Sequence, residues 1–476
     1  MVEICEKCFS QIEVYIFGAS AGGGHVYDIF TNLGIKVAGF VDNSEKKWGT
    51  TFRKITVYAP EVLNECTENQ IIVIASTYHD EIREQLLGMG IAKEKIVMKD
   101  MLVQNALRLK EAEGNTYQCH QGNRVLFDLS EGFMLSGVVN WTINLVEQMH
   151  QEKKDFYVLS MKRKDCNYDY GKIADRIFWT DYHLDKYRQS VEETVSFIKT
   201  KLPCKIVINQ ISQIFWAACL VKQEFKEQIE IVSVIHSDFS RIYEQNAFLD
   251  GFIDSYICVS HEICDAMKEK YGIDEKKLHY KPTSTEYDKE YQREVSGAHR
   301  PLAVAYAARI EKAQKRADLL IPLIRLFEKS GMDYRLNIAG NGTYYKKLES
   351  FLKEQDVSER VKLYGALPYD AMRNFWKEND VFINLSDIEG MPVSLLEAMS
   401  WGCVPVVTRT SGTSATVEDE VNGYVCGKED IDSVFEKIQI LGRDRKLLYE
   451  MAEVCRNRVK ERHDRGEYVR FLMEDV

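Results

Sequence analysis

The stretch that decides the fold runs Asp380-VFINLSDIEGMPVSLLEAMSWGCVPV-Val407. VFINLS is an unbroken apolar run of strand length ending in a polar loop, the pattern of a strand buried on both faces. Glu389-Gly390-Met391-Pro392 then leads into a helical stretch. Pro392 suits the first helical turn, where a missing N–H costs nothing, and Gly402 suits the helix end. CVPVV is the next apolar run. Strand, helix, strand in this order predicts a parallel sheet with helices on its faces. The free N–H groups of residues 390–394 should then point out of the first strand's carboxyl end. A helix N-terminus preceded by glycine binds phosphate, through exposed donors and the helix dipole.

The same alternation extends in both directions. Upstream lie Pro301-LAVAYAARI, Tyr334-RLNIAGNG and Arg360-VKLYG, and charged helical sequence follows from about Asp430 to the end. A second series runs through Arg124-VLFDLS, Asp155-FYVLSM, Lys205-IVINQ, Glu230-IVSVIH and Asp254-SYICVS. A first comprises Glu13-VYIFG, Lys36-VAGFVD, Gln70-IIVIAS and Ile96-VMK, with helices expected over Val26-YDIFTNL and from Asp80 to Leu87. The expected fold class is α/β, built from three Rossmann-like units. The expected boundaries are an accessory domain over 1–103, a linker over 104–121, and two further domains over 122–296 and 297–476. The last helix is expected to return to the middle domain.

Composition narrows the class. The 476 residues are 45% hydrophobic and 28% charged, ordinary globular values. Lys and Arg number 62 against 73 Asp and Glu, a net charge of −11, which is unsuited to coating nucleic acid. No run of 18 uncharged apolar residues occurs, and Glu3, Glu6 and Lys7 interrupt the start where a secretory signal would be apolar. A cytoplasmic protein is expected. Among the 12 cysteines, Cys5 and Cys8 form one CxxC without a second to complete a zinc site; reduced, mostly buried thiols are expected.

Glu389-Gly390 followed by Glu397-Ala398-Met399, a glycine and Pro405-Val406-Val407 resembles the E-x7-E region of the family 4 retaining glycosyltransferases of GT-B fold. Arg309 and Lys315, six residues apart in ARIEKAQKRADLL, look like the family's Arg…Lys segment, with Ala308 and Arg316 where glycines are usual. Ile338-Ala339-Gly340-Asn341-Gly342 and Val361-Lys362-Leu363-Tyr364-Gly365 are similar to two further strand-end motifs. The resemblance covers about 124–476 and implies that the second and third units form a GT-B enzyme with a cleft between them. It implies that Arg309 and Lys315 hold a nucleotide diphosphate, with Gly390, Met391, Pro392 and Val393 supplying its helix-end contacts. Glu397 would take ribose hydroxyls and Glu389 the donor sugar. Charge grows on the leaving oxygen during transfer, and fixed cations and backbone donors aimed there stabilise it. No cofactor or metal is then required beyond the nucleotide-sugar donor, for which a UDP-sugar is expected. The resemblance also implies front-side displacement, with the leaving diphosphate helping to deprotonate the acceptor.

In the second unit, Gly137 stands where the family's Gly-rich turn meets the diphosphate, although Ser136-Gly137 also reads as a plain helix start. His236 ends a strand where the resemblance implies a donor-sugar contact, and Thr283-Ser284 replaces a usual Asn-Gly. Lys153, Lys154, Lys162, Arg163 and Lys164 form a basic cluster, either a solvated face or a contact with an anionic membrane or pyrophosphate-lipid acceptor. The first unit resembles the small Rossmann-like domains attached to sugar-modifying acyltransferases and methyltransferases, through FGASAGGG and GFVDN. Gly18 and Gly23 fit the dinucleotide pattern, Ser20 occupies its middle glycine, and Asp42 is positioned for a ribose hydroxyl. Nucleotide binding and a docking role both remain readings of that unit. The function expected is transfer of a hexosyl or N-acetylhexosaminyl group to a glycan, lipid-linked or protein acceptor in polysaccharide or glycoconjugate synthesis. The alternatives are a silent GT-B scaffold or another GT-B enzyme such as a phosphorylase or epimerase.

Overall fold

The structure, a computed structural model, describes residues 13–32, 36–65, 67, 70–76, 78–98, 124–134, 136–161, 168–180, 187–293 and 300–476. The expected linker over 104–121, the boundary between 296 and 297, and the Cys5/Cys8 pair lie outside these residues.

Three sheets carry the architecture, as the α/β reading requires. The first contains β1 (Glu13–Phe17), β2 (Lys36–Val41), β3 (Thr51–Phe52), β4 (Ile55–Tyr58), β5 (Gln70–Ile74) and β6 (Ile96–Met98) in the order β3-β4-β2-β1-β5-β6. It is parallel except for the β3–β4 hairpin. The second contains β7 (Arg124–Leu129), β8 (Asp155–Met161), β9 (Ile177–Thr180), β10 (Cys204–Ile208), β11 (Ile229–Ile235), β12 (Ser255–Cys258) and β13 (Leu278–Tyr280), in the order β13-β12-β11-β10-β7-β8-β9. The third contains β14 (Leu302–Ala307), β15 (Tyr334–Ala339), β16 (Val361–Gly365), β17 (Val381–Asn384), β18 (Val404–Thr408) and β19 (Tyr424–Cys426), in the order β16-β15-β14-β17-β18-β19.

Each order reverses direction once: between β1 and β5, between β7 and β10, and between β14 and β17. Doubly wound sheets bind ligands at such switch points, outside the strands' carboxyl ends. The third sheet shows why its strands read as continuous apolar runs. Leu302, Val304 and Tyr306 of β14 join one buried cluster, and Ala305 and Ala307 join another on the opposite face. Helices cover both faces, so every position is buried.

By internal contact the chain falls into two compact units: Met1–Gly122 with Phe178–Ile206 and Gln210–Glu230, and Asn123–Ile177 with Val207–Asn209 and Ile231–Val476. In the second unit, helix Arg465–Glu474 lies on helix Gly137–Gln151, where the Tyr468 ring meets Trp141 edge-on at 5.5 Å between centroids. The seven described cysteines are all free thiols, six of them buried.

Two helix starts differ from expectation. Helix Ala21–Asn32 begins five residues earlier than the apolar spacing of Val26-YDIFTNL indicates, absorbing three glycines into its first turn. Pro392 is the N-cap of helix Val393–Ser400, one place before the first turn, with extended ψ of 112°. A proline in the cap still leaves the following N–H groups unpaired. Gly402, at φ +76°, closes that helix in the left-handed conformation that glycine adopts without penalty.

Candidate active site

Two loops of the third sheet leave its switch point side by side. One follows β14 and carries Arg309 and Lys315; the other follows β17 and carries Glu389 and Gly390. The first is anchored from below by the buried Tyr306, whose hydroxyl donates to the Lys315 carbonyl at 3.2 Å. Gln314 ties the loops together, its amide donating to the Ile388 carbonyl at 3.0 Å and its own carbonyl accepting from the Asp387 N–H at 3.0 Å. Arg316 occupies the left-handed region at φ +48°. That conformation costs a non-glycine residue about 1–2 kcal/mol, and ion pairs to Asp318, Asp387 and Glu429 offset it. Those pairs explain how an arginine holds a turn for which glycine is the usual solution. Across the loop, Gly340 passes so close that a Cβ there would lie 1.9 Å from the Ala308 carbonyl oxygen.

Lys315 and Glu389 meet. The Lys315 ammonium lies 2.5 Å from Glu389 Oε1, with the two side chains 16% and 7% exposed. Ser386 Oγ donates to the same oxygen at 2.7 Å and Asn384 Nδ2 lies 3.4 Å away. A buried carboxylate needs these partners, since an unpaired charge in this setting is costly. Arg309 is different. Its side chain is 58% exposed and rests on Glu311 at 3.1 Å and Gln314 at 2.7 Å.

Two helix N-termini converge beside this pair. A Cβ on Gly137, the first residue of helix Gly137–Gln151, would lie 3.4 Å from Val393 Cγ2 at the start of helix Val393–Ser400. Ser136 caps the former through Val139 N at 3.2 Å. Gly390 is held between neighbours: a Cβ there would lie 2.0 Å from the His236 carbonyl oxygen. The Met391 side chain is buried and its sulfur accepts from Thr416 Oγ1 at 3.1 Å. The N-termini of the two helices therefore lie side by side at Gly137 and Val393, and the dipole of a helix favours an anion at its N-terminus.

His236 follows β11. Its Nε2 is 2.9 Å from Asn209 Oδ1, and its ring meets Trp141 edge-on at 4.8 Å. Burial depresses the imidazole to about 3, so the ring is neutral at ordinary pH. Asn209 is itself fixed, donating to the Asp128 carbonyl and to Thr142 Oγ1. Glu397, on the second turn of helix Val393–Ser400, keeps a different set of neighbours. Asn140 Nδ2 is 3.3 Å from its Oε1 and Trp376 Nε1 3.4 Å from its Oε2. Burial raises its carboxyl to about 7, against the pull of both donors. It lines a narrow cavity together with Glu286, Tyr369, Asp370, Arg373 and Trp401.

Gly137, His236, Arg309, Lys315, Glu389, Gly390, Met391, Pro392, Val393 and Glu397 all fall in the second compact unit. Asn140, Asn209, Trp141, Trp376 and Ser386 went unread. Only the position of Asn209, directly after a buried strand, offered a local signal.

In the first unit, Gly18 lies at φ +118°, and a Cβ on Gly23 would lie 1.9 Å from the Gly18 carbonyl oxygen. Both glycines serve the fit of helix to strand. Asp42 already has three donors: Oδ2 accepts from Ala19 N at 2.9 Å and Lys47 Nζ at 2.7 Å, and Oδ1 from Ser44 N at 2.9 Å. It buttresses the glycine turn from inside. Of the basic cluster, Lys153 and Lys154 are exposed, and 162–164 lie outside the described residues.

Residues 288–462 match the family described as glycosyl transferases group 1. Over this stretch, a little over a third of the chain, the sequence is similar to glycosyltransferase group 1 domains. A second match, to the family described as C2185-like, N-terminal, covers residues 10–97. The curated relatives include the amylovoran biosynthesis glycosyltransferase AmsK of Erwinia amylovora, 28% identical over 29% of this chain and 35% of that protein. Another is the UDP-Gal:alpha-D-GlcNAc-diphosphoundecaprenol alpha-1,3-galactosyltransferase of Escherichia coli, 31% identical over 26% of this chain and 31% of that one. The chain thus spans about a third of the length of these relatives. Among solved structures, Staphylococcus aureus TarM with fondaparinux, alpha-GlcNAc-glycerol and UDP matches 74% of this chain and 100% of its own, at TM-score 0.60 and 13% identity. Anabaena HepE with UDP and glucose matches 74% and 99%, at TM-score 0.59 and 15% identity. At these identities the likeness is one of fold, the GT-B architecture. Among the described residues no helix is long and apolar enough to cross a membrane, and no three His, Cys, Asp or Glu side chains gather as a metal site.

Proposed function

We propose that this protein is a retaining glycosyltransferase that moves a sugar from a UDP-sugar to a glycan, lipid-linked or protein acceptor. The observation that carries the reading is the convergence of two helix N-termini, at Gly137 and Val393, on the loops bearing Arg309, Lys315 and Glu389. A diphosphate seated there meets backbone donors from two helices and two cations on one side. As the glycosidic bond breaks, the leaving oxygen gains charge where those groups are already aimed, so little reorganisation is needed. Lys315 then exchanges Glu389 for phosphate, and Glu389, released from its ion pair, accepts hydroxyls of the donor sugar. His236, neutral and held by Asn209, offers a ring nitrogen to the same sugar. Glu397 accepts the ribose hydroxyls. The cations and helix ends supply the positive field, so turnover is expected to persist in EDTA. Same-face transfer follows if the leaving diphosphate takes the acceptor proton. The names of the relatives support a role in polysaccharide or glycoconjugate synthesis, and the first unit is assigned to docking or acceptor selection.

The test is release of UDP from a panel of UDP-sugars, with and without glycan acceptors, followed by the anomeric configuration of the product. Glu389→Gln should abolish most transfer and leave UDP affinity nearly intact. UDP affinity lost to the same extent in Glu389→Gln and Glu397→Gln rejects the division of roles, and an inverted product rejects the retaining course.

A further inference from the structure

We infer that Asn140 is a positioning residue for the nucleoside, acting through Glu397: it orients that carboxylate so that each oxygen keeps one lone pair for a ribose hydroxyl. The inference rests on the proposed role of Glu397. An ionised carboxylate has about four acceptor sites, two per oxygen. Asn140 Nδ2 takes one on Oε1 at 3.3 Å, and Trp376 Nε1 takes one on Oε2 at 3.4 Å. One site is left on each oxygen, which matches the two vicinal hydroxyls of a ribose. The two donors also come from different elements, helix Gly137–Gln151 and helix Tyr369–Lys377, so the carboxylate plane is fixed from both sides.

Asn140 is well placed to be rigid. It lies on the capped first turn of its helix, with its own N–H bonded to the Ser136 carbonyl at 3.0 Å. Asn144, one turn on, is hydrogen-bonded by the Tyr369 hydroxyl. That second contact holds the same helix face without touching Glu397. The surroundings of Glu397 make its protonation sensitive to Asn140. Burial and the Glu286 charge favour the neutral acid, while Asn140 and Trp376 favour the anion. Asp370, Arg373 and Tyr369 line the same cavity, and Arg373 is paired to Glu286 at 2.7 Å. A protonated Glu397 would lose an acceptor site and with it one ribose hydroxyl. Removing Asn140 should therefore move the pH at which nucleotide binding is half developed to higher values.

The experiment is titration of the full chain with UDP by calorimetry from pH 5.5 to 8.5. The Glu397→Gln variant carries only the ligand's own titration and serves as the baseline. Relative to it, wild-type affinity should rise as pH passes about 7. Asn140→Ala should bind about three- to tenfold more weakly at pH 7, the scale of one ordinary hydrogen bond. It should recover near-wild-type affinity by pH 8.5, with its midpoint displaced upward. Asn144→Ala should leave the midpoint where it is. An Asn140→Ala profile that is lowered equally at all pH values, or not displaced, overturns the positioning role while leaving the ribose assignment standing. A Glu397→Gln variant with wild-type affinity overturns the ribose assignment itself.

Discussion

The two cations sit in unlike surroundings, which makes their contributions separable. Arg309 is mostly exposed, and Lys315 is buried against Glu389. Changing either to Ala should lower turnover by about 10² to 10³, the scale of losing one donor aimed at developing charge. Only Lys315→Ala should also lower the melting temperature, because it leaves the Glu389 carboxylate buried without its counter-ion. Kinetics and thermal denaturation of both variants test this; equal thermal stability or near-wild-type turnover would refute it. Gly390 is required by close approach: its φ is ordinary, yet a Cβ would lie 2.0 Å from the His236 carbonyl oxygen. Gly390→Ala should cost about 1–3 kcal/mol of stability by overpacking and reduce transfer by pushing the 236 and 390 loops apart, measurable by denaturant titration. At this scale the motif residues were legible because their spacing is local. Asn140 and Asn209 were not, because their partners Glu397 and His236 lie 257 and 27 residues away in sequence. No local periodicity encodes such a pairing.

Elements were legible in proportion to how completely they are buried. β14, with all six residues buried, and β10, with all five, stand out as apolar runs. β3, β4, β9, β13 and β19 are two to four residues long with mixed exposure, too short for alternation to declare itself. The early start of helix Ala21–Asn32 has a related cause. Glycine lowers helix propensity by about 1 kcal/mol per residue, so three in a row read as loop, whereas close backbone approach requires Gly22 and Gly23. Glycines in two helices of the first unit make a matched test. A Cβ on Gly23 would lie 1.9 Å from the Gly18 carbonyl oxygen, whereas Gly88, ending helix His79–Gly88, has open space around it. Gly88→Ala should raise stability by about 0.5–1 kcal/mol. Gly23→Ala should lower it despite the same gain in propensity. Thermal melts of the two variants that shift in the same direction would show that packing at Gly23 does not set its identity.

For the molecule as a whole, buried titratable groups pull stability in opposite directions with pH. Burial lowers His236 to about 3 and His463 to about 4 from an ordinary 6.5. His463 Nδ1 lies 2.7 Å from the Thr283 carbonyl, so the neutral ring donates there. For both, the unfolded chain binds the proton first, and the stability they contribute is lost as pH falls from about 6.5 toward those values. Glu397 has the opposite sign. Its folded value of about 7 lies above the ordinary 4.5, so its contribution is complete below 4.5 and is lost as pH rises through 7. Between pH 4.5 and 6.5 the two histidines and the glutamate therefore oppose each other. The histidines are two and their displacements are as large or larger, so net stability should fall with acid in this window. Glu397→Gln removes the opposing slope and should make the fall steeper. His463→Asn keeps an N–H donor near the position of Nδ1 but cannot take up a proton, and should make it shallower. Melting temperatures of the three proteins at half-unit pH steps, followed by tryptophan fluorescence, decide the matter. A wild-type midpoint that rises on acidification, or a Glu397→Gln slope no steeper than wild type, would mean that these buried groups do not govern the acid limb.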